Sequence, residues 1–181
     1  FYGALITGFF LLTLLMVACS NPVKETENAN PESNLPGDKV FDETIFHTVE
    51  LTLSEQDWQA IIDEAAAYEN VNADYPYYHA QVSFDGEPLE NDIGIRLKGH
   101  ISIQLANGHG FPLKLDFNRY EKDQTLDGLK KLNLNTNFNG PPVPIMRDYL
   151  SYEAWRVFGV AASRTSFAHV TVNQENLGVY V

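Results

Sequence analysis

Thiols are all but missing from this chain, because Cys19 is the only cysteine in 181 residues. That excludes an intrachain disulfide and a thiolate zinc cluster within it. Positive charge is scarce as well, with 12 Lys and Arg against 24 Asp and Glu and a formal net charge of -12. Such a surface repels phosphate backbones and argues against a DNA- or RNA-binding role. The five histidines, His47, His79, His100, His109 and His169, show no H-x-x-x-H or similar spacing, so a histidine metal site is not expected. There is no G-x-S-x-G elbow, no P-loop and no dinucleotide fingerprint, and hydrolase and dinucleotide chemistries have no local support. No internal repeat and no Gly-Ser linker divides the chain.

What is present suffices for one packed domain and not for two: 44% of residues are hydrophobic and 12% aromatic. Gly3 to Ala18 is almost wholly apolar and runs into Met16-Val-Ala-Cys19. This reads as a signal-peptide core followed by a lipobox, whose small residues admit the processing peptidase and whose cysteine becomes the lipidated N-terminus. The alternative, a transmembrane anchor, wants about 20 apolar residues and no cysteine at its exit. Residues 1–19 are therefore expected to be a lipoprotein leader. Residues 20–40, rich in Asn, Glu, Pro and Ser, are expected to be a solvated tether, and 41–181 the folded part. Phe1 follows no initiator Met and no basic segment, so a fragment is expected at this end. The location implied is a bacterial cell envelope, lipid-anchored and facing outside the cytoplasm.

Periodicity predicts the elements. Ile45, His47, Val49, Leu51 and Leu53 share one face of a strand, and Ser54 caps a helix with an apolar stripe of Trp58, Ile61, Ile62 and Ala65. Tyr78, Ala80, Val82 and Phe84 alternate as a second strand, and Asp85-Gly86 signals a turn. A hairpin follows, with arms Ile93 to His100 and Phe111 to Asn118 around a loop bearing Gly99, Gly108 and Gly110. Its inward residues are Ile93, Ile95 and Leu97 against Phe111, Leu113, Leu115 and Phe117, which leaves Arg96, Lys98 and Lys114 on the other face. Leu132 and Leu134 mark a further strand, with Lys131, Asn133 and Asn135 opposite. A helix over roughly Ile145 to Phe158 is closed by Gly159. Val170 and Val172 mark a strand, Asn173 to Asn176 a polar turn, and Leu177 to Val181 the last strand. The fold class expected is α+β, a mixed and mainly antiparallel sheet with two helices.

Two features point to chemistry. Arg96, Lys98 and Lys114 concentrate positive charge on an acidic chain, a pattern that calls for a ligand or partner charge, although strands commonly expose lysine. In the second helix Met146, Leu150, Glu153, Ala154 and Val157 follow the i, i+4, i+7, i+8, i+11 pattern, which predicts that Glu153 sits on the buried stripe. A buried carboxylate requires a nearby cation.

The pieces Arg96-Leu-Lys-Gly99, Phe111-Pro-Leu-Lys-Leu115, Gly128-Leu-Lys-Lys-Leu-Asn-Leu-Asn135, Arg147-Asp-Tyr-Leu150, Phe158-Gly-Val160 and Asn173 to Tyr180 together resemble the spore coat protein H (CotH) kinase family. The resemblance implies the N-terminal lobe of an atypical, secreted kinase-like fold that moves phosphate from ATP, with Mg2+, to Ser or Thr of exported proteins. A kinase-type lobe uses a loop over the phosphates, a basic side chain on the sheet and a helical carboxylate that holds it. Gly99 to Gly110, with His100 and Ser102, is the candidate loop, although it lacks the ordered kinase glycine pattern; the alternative is that its glycines serve only a long hairpin turn. Lys98 is the first choice for phosphate, beside the glycine that opens the loop, with Arg96 near it and Lys114 and Lys131 in reserve. Glu153 is the candidate helical carboxylate, and its cation is either that lysine or a purely structural Arg96 or Arg156. The catalytic base and metal-binding Asp of such a fold come from a second lobe, expected beyond Val181. The alternative on the same fold is a non-catalytic surface or extracellular-assembly module that binds protein or glycan.

The lipobox generates the first prediction. Cys19→Ser in the full precursor should move the protein from the detergent phase to the aqueous phase on detergent partitioning. Equal partitioning of the two into water would remove the lipoprotein reading.

Overall fold

The apolar alternation read from sequence becomes eight strands and two α-helices among the described residues. The computed structural model describes residues 35–67, 74–99, 103, 110–136 and 146–181. The leader with Cys19, the tether up to residue 34, the candidate loop residues His100 and Ser102, and the Pro-rich stretch before the second helix lie outside the described residues.

In chain order the elements are β1 (His47–Thr52), α1 (Glu55–Ala66), β2 (Tyr78–Phe84), β3 (Glu87–Pro88), β4 (Ile93–Leu97), β5 (Leu113–Asp116), β6 (Lys131–Leu134), α2 (Arg147–Val157), β7 (Ala168–Val172) and β8 (Glu175–Tyr180). The strands run β6-β5-β4-β2-β1-β7-β8 across the sheet, with the short β3 beside β2. β1 and β7 are parallel and every other pair is antiparallel. The expected α+β class with a mixed, mainly antiparallel sheet is what the chain forms.

Register brings the apolar positions into phase. Ile95 faces Leu115 and Leu115 faces Leu132, while Leu97, Leu113 and Leu134 form the next rung. Val49 lies between Phe84 and Val170, and Leu51 between Val82 and Val172. A slip of one residue at any of these strands would turn its apolar set to the other face, so the shared core specifies the register. Helix α1 adds Trp58, Ile61 and Ala65 to this core, and the Asp57 amide donates to Ser54 Oγ at 3.0 Å as the N-cap.

The sheet also closes on itself. Beyond β6 and β8, the outermost strands of the order, the Asn135 amide donates to the Val181 carbonyl at 2.8 Å and the Val181 amide to the Asn135 carbonyl at 3.0 Å. The sheet is therefore curled, and its two ends meet at that pair.

Several boundaries differ from the sequence reading. β1 begins at His47, and Ile45 is exposed, because Asp42 Oδ1 accepts from the Thr44 amide and hydroxyl and turns the chain just before the strand. The last hairpin turns on Asn173 and Gln174 alone, both at positive φ, so β8 already starts at Glu175. Residues 35–40, expected in the tether, form a packed strap: Val40 is buried, the Gly37 amide donates to the Asp127 carbonyl and Arg164 pairs with Asp38. One buried valine and a few polar ties outweigh a composition that reads as solvated.

The largest correction concerns α2. No residue of this helix is fully buried; Leu150 is 55% and Val157 80% exposed, so the stripe that carries Glu153 is not a core stripe. The face turned inward is the polar-aromatic one, with Asp148, Tyr149, Tyr152, Glu153 and Arg156 half-buried. Periodicity identifies two faces of a helix but not which one meets the protein when both carry groups able to find partners.

Gly94 generates a prediction in the middle of β4. A Cβ there would lie 2.8 Å from Tyr77 Cδ1 and from Arg119 Cγ, where the guanidinium groups of Arg96 and Arg119 both contact the Tyr77 ring. Gly94→Ala should therefore lower unfolding free energy by about 1–3 kcal/mol through overpacking, measured by urea denaturation. No change in midpoint would show that Tyr77 and Arg119 yield freely.

Candidate functional site

The curled sheet, the strap and the stretch before β7 line a half-open cavity of about 470 Å³. Its apolar wall includes Val49, Phe84, Leu134 and Tyr180 from the sheet, and its polar wall includes Lys98, Lys131, Asn133, Asn135, Tyr152 and Arg164. Size and lining suit a small ligand with one apolar part and one polar or anionic part.

Lys98 arrives there by continuing β4 past its last residue. Its amide still donates to the Pro112 carbonyl at 2.9 Å, and its ammonium donates to Asn135 Oδ1 at 2.6 Å. The lysine therefore reaches the seam where the sheet closes. Burial, followed by repulsion from Lys114, pushes the Lys98 ammonium below the usual lysine range, and the Asp148 carboxylate of α2 pulls the other way. The net direction is a destabilised charge, which an anionic ligand would favour.

Of the other residues singled out in the sequence, Lys131 joins Lys98 in the cavity wall, but its ammonium lies 3.4 Å from the carboxylate of Asp116, a nearly buried residue. Arg96 and Lys114 face each other across β4 and β5, so the shared face holds for that pair. The Arg96 side chain turns to Asp74, at 3.5 Å, and to the Tyr77 ring. Neither Arg96 nor Lys114 lines the cavity. Glu153 pairs with Arg156 one turn along the helix, the structural alternative of the two weighed from sequence.

Sequence reasoning missed Asp148, Tyr152, Asn135 and Arg164. Asp148 and Tyr152 follow from the inward face of α2, which no apolar stripe marks. Asn135 sits in an Asn-rich run that resembles turn chemistry. Arg164 belongs to the polar stretch before β7, stacks on the Phe41 ring and bonds to the carbonyls of Pro36 and Gly37.

Residues 95–181 match the model of the CotH kinase protein family. Over these residues the chain is similar to the CotH kinase protein family. The match starts inside β4 and takes in the hairpin, β6, α2, β7 and β8, so the CotH resemblance read from Arg96 onward is borne out. No curated relative matches the chain. Among the described residues, no group of three or more His, Cys, Asp or Glu is placed to hold a metal ion. The described residues thus do not fit a magnesium site.

The lowered pKa of Lys98 has a sign that can be tested. With the folded value below the unfolded one, burial costs stability while the group is charged in both states, and that stability returns as pH rises from the folded value toward about 10.5. Lys98→Met should melt no lower than wild type at neutral pH and should gain less on the alkaline side. A melting temperature several degrees lower would mean that the Asn135 bond outweighs desolvation.

Proposed function

We propose that this chain is the nucleotide-gripping lobe of a CotH-type kinase, in which the cavity receives ATP and Lys98 grips its phosphates. The observation that carries the reading is a half-buried lysine, its charge disfavoured by burial, in the wall of a cavity of about 470 Å³ and within the matched residues. The apolar wall suits the nucleobase, and Lys98 Nζ suits phosphate oxygens as a compact point charge. Curled sheet and α2 together play the part of a kinase N-terminal lobe. In this reading the whole protein is held at a bacterial envelope by lipid on Cys19 and phosphorylates Ser or Thr of exported proteins, with Mg2+ as the metal. ATP would supply the phosphoryl group, while the residues in hand bind and orient it. The described residues contain no group assigned as catalytic base, so the decisive measurement is binding.

Calorimetry with ATP, with and without magnesium, should give a dissociation constant at least about tenfold weaker for Lys98→Ala, a loss of about 1.4 kcal/mol. Lys122→Ala, an exposed lysine in a polar turn, should bind as wild type does. Identical binding by both variants would remove Lys98 from the phosphate. An absence of ATP binding by wild type would favour a non-catalytic surface module on the same fold.

A further inference from the structure

Helix α2 lacks what usually holds a helix in place. It buries no residue completely, its N-cap Met146 makes no side-chain cap bond, and Met146, Leu150 and Val157 are exposed. Its attachment runs instead through the two half-buried side chains that stand two turns apart, Tyr149 and Arg156. The Tyr149 hydroxyl donates to Glu43 Oε2 at 2.8 Å and Arg156 Nη2 donates to Glu43 Oε1 at 3.2 Å. One carboxylate thus grips positions separated by about 10 Å along the helix axis, which constrains both the rotation and the axial placement of α2. Further ties, Arg156 to the Ser163 carbonyl and the Tyr149 ring against Phe167, lie on the side next to β7.

Glu43 itself is presented by a segment that cannot drift far. Asp42 Oδ1 accepts from both the amide and the hydroxyl of Thr44, the Asp42 carbonyl meets His47 Nε2 at 3.2 Å, and Val40 is buried with its carbonyl bonded to Ser166 Oγ at 2.7 Å. The carboxylate is therefore pre-organised on both sides in sequence.

We propose that Glu43 is a positioning residue for the cavity, acting through α2: it clamps the helix face that carries Tyr152 into the wall of the cavity that Lys98 also lines. Glu43 lies upstream of residues 95–181, outside the stretch matched to the family. The same helix face brings Asp148, whose charge acts on Lys98. The bond to Glu43 also holds the Tyr149 hydroxyl above its ordinary titration range. The effect on ATP rests on the nucleotide reading given above, whereas the clamp itself does not.

The test uses the full 181-residue chain, with hydrogen–deuterium exchange over peptides 147–157 and over β1 and β4, ATP calorimetry and thermal melting. Glu43→Ala should speed exchange across α2 about tenfold or more, leave β1 and β4 unchanged, and weaken ATP several-fold with little change in the melting temperature. Glu43→Arg combined with Arg156→Glu should recover part of the protection. If Glu43→Ala does not fold, Tyr149→Phe removes one of the two bonds and should show the same change on a smaller scale. Unchanged exchange over 147–157 overturns the clamp. Faster exchange with unaltered ATP affinity overturns the positioning role. If wild type binds no ATP, the nucleotide reading and the positioning role fall together, and the exchange result decides the clamp alone.

Discussion

Two backbone hydrogen bonds between Asn135 and Val181 decide what this sheet can do. Each contributes only about 1 kcal/mol net, yet they join the strands at opposite ends of the order, β6 and β8, and turn an open sheet into a curled one. The cavity lies in that curl, with Leu134 and Tyr180 contributed from the two sides of the seam. The same residue that closes the seam through its backbone receives the Lys98 ammonium through its side chain. Closure and the placement of the candidate phosphate lysine are thus one event at Asn135.

Charge distribution sharpens the point. A chain with a net charge of -12 gathers Arg96, Lys98, Lys114 and Lys131 on β4, β5, β6 and the first residue beyond β4. Three of these cations have carboxylates within 4 Å or a carboxylate charge acting on them: Arg96 has Asp74, Lys131 has Asp116, and Lys98 feels Asp148. Lys98 differs because burial and Lys114 outweigh the favourable influence of Asp148. Arg96 also rests on Tyr77, a contact that stabilises a cation without any ligand. The arrangement therefore separates cations that serve the fold from one whose charge the fold does not favour.

The core was legible in the sequence wherever a period of two met a period of two. Leu97, Leu113 and Leu134 each stood on the apolar side of their own segment, and the structure places them on one rung. Local signals also carried: Ser54 caps α1, Gly159 ends the turn after α2 at a φ of 72°, and Asp85-Gly86 turns β2 into β3. Within the site, Lys98 was legible because a glycine follows it at the end of an apolar strand. Glu153 was not, because a helix with Leu150 and Val157 on one side and Tyr149 and Tyr152 on the other has no face that hydrophobicity alone sends inward. Glu43 and Arg164 were beyond reach for a different reason: their partners lie more than a hundred residues away in sequence, and no periodicity reports such a contact.

That long-range pairing bears on how the matched and unmatched parts of the chain divide their work. Within residues 95–181 the sheet supplies the lysine and much of the cavity wall, while α2 buries no residue completely and bonds through Tyr149 and Arg156 to Glu43, outside that stretch. Polar contacts are directional, so they set the angle of a helix better than an apolar stripe, which tolerates sliding; they are also individually weak, so the helix can be released at small cost. The strap from residue 35 to Glu43 is anchored independently, by Val40 in the core and by Arg164 on Asp38 and Gly37. A helix held by a rigid strap through one carboxylate can be placed or freed without disturbing the rungs of leucine and isoleucine beneath it. It follows that the rungs of β1, β2, β4 and β5 carry the stability of this fold and lend Val49 and Phe84 to the cavity, whereas Asn135, Lys98 and the inward face of α2 set its polar side.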